Sequence, residues 1–157
     1  MKRAWTLGAV AIAVMLTTAG VFADQEQSSS VIFARSRTAR YSQLVPGVAS
    51  YVAWGDTANG PFGGFTRFRP GYDAGMHTHT ADVLLVVLRG AYLYRDDAGA
   101  KRVGPGDFIR ISGGHKHWSG GDRKEGALFY QETFGKFDLI PASSGAEHIG
   151  VGCLTSA

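Results

Sequence analysis

Short segments of β-branched and aromatic residues, each closed by a turn sequence, constrain what this chain can fold into. They occupy residues 31–35, 50–54, 62–68, 83–88, 91–95, 107–111 and 127–134. Glycine-rich turns such as PGYDAG and SGGDRKEG separate them. No window of a dozen residues beyond the N-terminus carries an apolar stripe of helical period. Seven or so strands without helices predict an all-β sandwich or barrel.

The N-terminus has the three parts of a secretory signal peptide. Lys2 and Arg3 precede an apolar run, and Val-Phe-Ala at 21–23 is an acceptable cleavage site. The apolar run is short for a permanent bilayer anchor, which is the alternative interpretation. We therefore expect residues 1–23 to be removed and the protein to be periplasmic or secreted.

The rest of the chain is long enough for one compact domain. We predict a disordered leader over 24–30, a single domain over 31–141 and a flexible tail over 142–157. Cys153, the one cysteine in the sequence, lies in that tail and cannot form an internal disulfide. An incidental thiol is a simpler interpretation than intermolecular pairing or metal ligation.

Charge gives no indication of a nucleic-acid partner. The sequence has 16 Lys and Arg against 13 Asp and Glu, and two of the basic residues leave with the predicted signal peptide. The remainder is nearly neutral and has no basic patch or stacking platform. We expect neither nucleic-acid binding nor membrane attachment once the signal is removed.

Histidine is concentrated in two His-x-His pairs. The pairs are His77 with His79 and His115 with His117, four of the five histidines in the chain. Side chains two residues apart on a strand point to the same face. Two imidazoles from one strand and a third from another could close on one metal ion and leave its opposite side open. The alternative is that these are polar histidines in surface turns.

The two pairs resemble the motifs of the cupin family. The first cupin motif is matched by Gly71, His77, His79 and Gly90, and the second by Gly106, Asp107, Gly114 and His117. The resemblance implies a jelly-roll β-barrel, or double-stranded β-helix, often a homodimer. It also implies one metal ion in the barrel mouth, held by His77, His79 and His117.

The chain departs from the motifs at the glutamate that usually supplies a carboxylate ligand. Val83 occupies that position, and Asp82 stands one residue earlier. On a straight strand Asp82 points away from the histidines, so it could ligate only if the intervening turn redirects it. Other sources of a fourth ligand are His115, a tyrosine at 92 or 94, or water.

Three neutral imidazoles without a carboxylate favour metals that nitrogen satisfies. Copper leads in affinity among the divalent ions, and an exported protein meets metals outside cytosolic control, so we predict copper, with iron, zinc or nickel as alternatives.

An open metal position predicts an enzyme. The leading hypothesis is an oxidoreductase that activates dioxygen or peroxide on a small organic or carbohydrate substrate. Tyr92, Tyr94 and Glu132 are candidate catalytic residues, Glu132 as a general base if its face lines the barrel. One alternative is a non-catalytic metal-binding or sensor cupin, and another is a zinc or nickel isomerase, lyase or hydrolase.

Overall fold

The computed structural model describes residues 31–142, and its regular structure is all β. The strands are β1 (Ser42–Val45), β2 (Val48–Gly55), β3 (Phe62–Phe68), β4 (Asp73–Thr78), β5 (Val83–Gly90), β6 (Tyr92–Asp96), β7 (Gly99–Val103), β8 (Phe108–Ile111), β9 (His117–Gly121), β10 (Ala127–Thr133) and β11 (Ile140–Pro141). Within this part of the chain no helix has the length and apolarity needed to cross a bilayer.

The strands form two antiparallel sheets that pack face to face. The first has the order β1-β2-β3-β10-β5-β8, and the second has the order β11-β4-β9-β6-β7. Crossing connections between the sheets, such as β3 to β4 and β9 to β10, give the jelly-roll topology that the sequence predicts.

Strand alternation places the core between the sheets. Along β10, Phe129 is buried while Tyr130 is only half-buried, and along β5 Leu85 and Val87 are buried while Leu88 is exposed. Buried apolar residues from both sheets join in one cluster, which comprises Leu85, Val87, Tyr92, Tyr94, Val103, Ile111, Ala127 and Phe129. This interior fixes which strand residues can reach the site.

Six of the seven predicted strand segments are strands, and the first is not. Residues 31–35 are irregular, and Val31, Ile32 and Phe33 are exposed. Several strands escaped prediction because they are short, polar or glycine-rich, including β4 and β9, which carry the histidines. The predicted signal peptide, the leader over 24–30 and the tail from 143 onward lie outside the described residues.

Close backbone approach requires glycine at position 126, where β10 begins. Gly126 has a φ of +66°, and a Cβ there would lie 2.2 Å from the Phe68 carbonyl oxygen. Gly71 has nearly the same φ, +67°, with open space around it. An alanine at each of the two positions therefore separates the free-energy cost of the left-handed backbone conformation from that of the steric clash.

We predict that Gly126→Ala destabilises the protein much more than Gly71→Ala does. The left-handed conformation alone costs an alanine roughly 1–2 kcal/mol. Forcing apart the packed strands adds roughly 1–3 kcal/mol at Gly126. Urea unfolding of both variants measures the difference, and equal losses of stability would show that the backbone moves freely here.

Candidate metal centre

Three histidines meet where β4 and β9 lie side by side. His77 in β4 is paired directly with His117 in β9, and their ring centroids are 4.3 Å apart. His79 follows the end of β4, and its ring lies 4.9 Å from that of His77 and 5.4 Å from that of His117. All three side chains are buried. One nitrogen from each lies within 4.8 Å of the other two, which is close enough for all three to reach a single ion.

Backbone carbonyls orient all three rings. The Nδ1 of His77 donates to the Gly75 carbonyl at 2.9 Å, and that of His117 donates to the His115 carbonyl at 2.9 Å. The Nδ1 of His79 donates to the Asp138 carbonyl. A carbonyl can only accept, so each Nδ1 carries the proton and each Nε2 keeps a free lone pair.

The free Nε2 atoms are what a metal ion needs. The Nε2 of His117 is buried and has no hydrogen-bond partner. Burial lowers the pKa of all three histidines, which keeps them in the neutral, ligating form at neutral pH. A ring held at Nδ1 with a free, buried Nε2 is the usual arrangement of a metal-ligating histidine. The three histidines therefore fit one divalent transition-metal ion.

A cavity of about 180 Å³ opens beside the histidines, between the two sheets. His77 and His79 form part of its wall, and most of the rest is aliphatic or aromatic. The polar exceptions are Thr66, Tyr72, Tyr92, Ser119 and Gln131, and none of the Asp, Glu, Lys or Arg residues between 31 and 142 lines it. No local sequence signal marked Thr66 or Gln131, because either face of their strands could have been the inner one.

Val83, the residue in place of the cupin glutamate, also lines this cavity and is buried. The motif position therefore faces the site, and an apolar side chain fills the space that a carboxylate would occupy.

A C-terminal segment, residues 135–142, closes one side of the cavity. Phe137 and Leu139 line the wall, and the intervening Asp138 supplies the carbonyl that orients His79. The Asp138 carboxylate accepts hydrogen bonds from the Thr80 backbone N–H at 2.8 Å and the Thr80 hydroxyl at 2.7 Å. Sequence reasoning missed this segment, since Asp138 is 58 residues from its partner Thr80.

Asp82 does not reach the histidines. Its carboxylate accepts from Arg110 at 2.5 Å and from the Gly113 N–H at 2.8 Å, and these contacts lower its pKa. The turn after His79 thus leads Asp82 to the outer side of the barrel, where it ties β8 to the next loop. The condition under which Asp82 could ligate, that the turn after His79 redirects it toward the histidines, is not met.

The His115 ring is also outside the cluster. It is half exposed, and its Nε2 lies 3.0 Å from Asp96. His115 contributes to the site through its backbone carbonyl, which orients His117. Of the sources left open for a fourth ligand, the His115 side chain is therefore not placed to serve, because it is hydrogen-bonded to Asp96.

The two tyrosines of β6 have different surroundings. Tyr92 lines the cavity, its hydroxyl is hydrogen-bonded to Ser119, and burial raises its pKa to about 12. Tyr94 stacks on His117, with ring centroids 5.5 Å apart, and its hydroxyl donates to Asp96 at 2.7 Å. Tyr92 can meet a molecule in the cavity, whereas Tyr94 packs behind a histidine.

Glu132 faces away from the cavity. Its neighbour Gln131 points inward, and Glu132 accepts a hydrogen bond from Tyr130 at 2.7 Å on the outer face of the sheet. The condition under which Glu132 could be a general base, that its face lines the barrel, is not met.

Comparison with solved structures identifies the fold. A cupin-like protein from Thermotoga maritima matches 71% of this chain and 90% of its own, with a TM-score of 0.55 and 20% sequence identity. The polyketide cyclase RemF from Streptomyces resistomycificus matches 72% of this chain and 86% of its own, with a TM-score of 0.60 and 16% identity. The chain has the cupin fold, as its motifs predicted.

Sequence comparison gives a shorter match. No family model matches the chain. An (R)-mandelonitrile lyase from Granulicella tundricola is 34% identical over 59 residues, which is 37% of this chain. The match spans 45% of the length of that curated relative.

We predict that His77→Ala, His79→Ala and His117→Ala each lower metal affinity by more than about tenfold. Loss of even an outer partner of a ligand costs roughly 10–100-fold, and these changes remove a donor atom. Asp82→Asn is the control and leaves metal binding unchanged, because its carboxylate is tied to Arg110. Plasma mass spectrometry of the purified variants measures the metal content. One ion per chain retained in any histidine variant would remove that residue from the ligand set.

Proposed function

We propose that this protein is a metal-dependent enzyme of the lyase class that acts on a small, mainly apolar molecule. The observation that carries this proposal is that His77 and His79, two of the three clustered histidines, line a mainly apolar cavity. A catalytic metal site needs protein ligands on one side and room for substrate on the other, and this arrangement supplies both.

The size and lining of the cavity define the substrate class. A cavity of about 150 Å³ lined by aliphatic and aromatic side chains is known to hold benzene. The cavity here is slightly larger, at about 180 Å³. A single aromatic ring with a short substituent therefore fits, and burial of its apolar surface provides the driving force for binding.

The cavity lining favours a reaction that needs no protein carboxylate. Apart from the histidines, its ionisable groups are Tyr72 and Tyr92, and burial raises the pKa of both. Both phenols remain protonated at neutral pH and act as hydrogen-bond donors. A divalent ion held by the histidines would supply the Lewis acidity that polarises a substrate oxygen or nitrogen. The lining then binds and orients the substrate, excludes water and donates a hydrogen bond from Tyr92.

The name of the curated relative gives a concrete substrate to test. Mandelonitrile consists of one aromatic ring, a hydroxyl and a nitrile, and it has the size and polarity that the cavity accommodates. Its cleavage breaks one carbon–carbon bond, and the hydroxyl proton is released with cyanide as hydrogen cyanide.

We predict that the metal-loaded protein cleaves mandelonitrile to benzaldehyde and hydrogen cyanide above the buffer rate. Tyr92→Phe is expected to lower kcat/KM by about 100-fold, the usual cost of removing one donor to a developing charge. Benzaldehyde absorbance follows the reaction.

Tyr94→Phe is the matched control. It removes the same atom from the same strand, but that hydroxyl serves Asp96 and not the cavity. Equal losses in the two variants would contradict the role of Tyr92, and a buffer-level rate with the wild-type protein would contradict the lyase proposal.

An oxidoreductase is the second candidate, and one observation favours it. Asp82 is turned away, so no carboxylate joins the three imidazoles, and this donor set suits copper more than hard, oxygen-seeking ions. The copper-loaded or iron-loaded protein, given a reductant, is then expected to consume oxygen faster than His77→Ala does. Equal rates in an oxygen-electrode assay would rule this candidate out.

We also propose that the enzyme is exported and acts as a homodimer. The N-terminal sequence supports export. An exposed apolar strip on the outer face of the first sheet, which includes Leu88 and Phe108, supports self-association.

A further inference from the structure

Two polar side chains in the cavity wall are buried without a hydrogen-bond partner in the part of the chain that the structure describes. Thr66 is 4% exposed, and its hydroxyl makes no hydrogen bond. Gln131 is 7% exposed, and among residues 31–142 its side-chain amide has no hydrogen-bond partner. Both side chains line the same cavity as His77 and His79.

The strand register brings this pair together. On the inner face of β3 and β10, Thr66 is paired with Phe129, and Gln131 is paired with Gly64. The pair is therefore diagonal on one face, within reach of a long amide side chain. Gly64 has no side chain, and a Cβ there would lie 2.3 Å from the Tyr51 carbonyl oxygen. The backbone of β2 therefore fills the space beside Gly64, and no side chain from that position can reach the Gln131 amide.

The pair and the histidines lie on opposite walls. Thr66 and Gln131 belong to the first sheet, whereas His77 and His117 belong to the second. A molecule bound between the sheets therefore has the histidine cluster at one end and the polar pair at the other.

Stability does not explain these two residues. A buried hydroxyl or amide without a partner destabilises a fold, and an apolar side chain of the same shape would pack there without that cost. Polar groups retained at such positions indicate a site whose partner is a bound molecule.

We propose that Thr66 and Gln131 form a polar subsite for an uncharged hydrogen-bonding group of the substrate. A hydroxyl and a primary amide each offer a donor and an acceptor, so a substrate hydroxyl, which also offers both, pairs with them fully. The subsite disfavours a charged group at this end, because the part of the lining that the structure describes has no Asp, Glu, Lys or Arg to neutralise it. The ligand class is a neutral molecule of about one aromatic ring that carries a hydroxyl.

This inference rests on the proposed function, in that it takes the cavity beside the histidines as the substrate site. Its test uses binding and stability, so that it does not depend on turnover.

The experiment compares benzyl alcohol with toluene, which has the same ring without the hydroxyl. NMR titration of the purified full-length protein measures both affinities. The wild-type protein is expected to prefer benzyl alcohol. Thr66→Val and Gln131→Leu each lower its affinity for benzyl alcohol by roughly three- to tenfold, the effect of one hydrogen bond, and leave toluene binding unchanged. Thr66→Ser keeps the hydroxyl and retains the preference.

Thermal stability provides a second readout with a matched control. The Thr133 hydroxyl donates to the Gly135 carbonyl at 2.6 Å, so Thr133→Val removes a hydrogen bond that is made and lowers the Tm. Thr66→Val removes a hydroxyl that the fold does not use, and its Tm is expected to be no lower than that of the wild type.

Several outcomes would overturn the subsite. They are wild-type affinity for benzyl alcohol in Thr66→Val, a fall in its Tm equal to that of Thr133→Val, or failure of both probes to bind. If the protein prefers benzyl alcohol but does not cleave mandelonitrile, the proposed reaction is wrong and the proposed subsite stands. If it cleaves mandelonitrile but does not prefer benzyl alcohol over toluene, the proposed reaction stands and the proposed subsite is wrong.

Discussion

Three hydrogen bonds from imidazole to backbone hold the site together. In each histidine the Nδ1 is fixed by a carbonyl, of Gly75, His115 or Asp138, and the Nε2 is left for a ligand. Backbone acceptors cannot be removed by changing their own side chains, so the site is as stable as the backbone segments that present them: β4 for Gly75 and the loops that carry His115 and Asp138. A slip of β4 against β9 by one residue would turn His77 outward and destroy the cluster. The same pairing of β4 with β9 therefore determines both the fold and the position of the three histidines.

The three histidines could be predicted from sequence because strand parity is a local property. Residues 77 and 79 share a face whichever strand they pair with, and the second motif supplied His117. The strands that carry them were harder to predict, since HWSGG and DAGMHT have few β-forming residues and are held by pairing with neighbours. Segment 31–35 shows the reverse error, since β-forming residues there have no neighbouring strand.

The groups that orient the histidines and the residues of the cavity wall are set by contacts that a single sequence does not display. Strand parity put Glu132 and Gln131 on opposite faces but could not tell which face was inner, and the structure selects Gln131. Likewise, Asp138 orients His79 from 59 residues away. Asp82 was easier to place. Strand parity alone indicated that its side chain points away from the histidines, and in the structure its carboxylate binds Arg110 instead.

The absence of charge from the described cavity lining limits which substrates can bind. Three neutral imidazoles leave the charge of a bound ion uncompensated, and Val83 fills the place where a carboxylate would reduce it. The substrate is then the first group that can place negative charge against the histidine end. At the opposite wall Thr66 and Gln131 offer only neutral dipoles, so a charge there would be buried without a partner. The cavity thus suits a molecule whose electron density builds up at one end while the other end stays neutral, as the proposed lyase reaction requires.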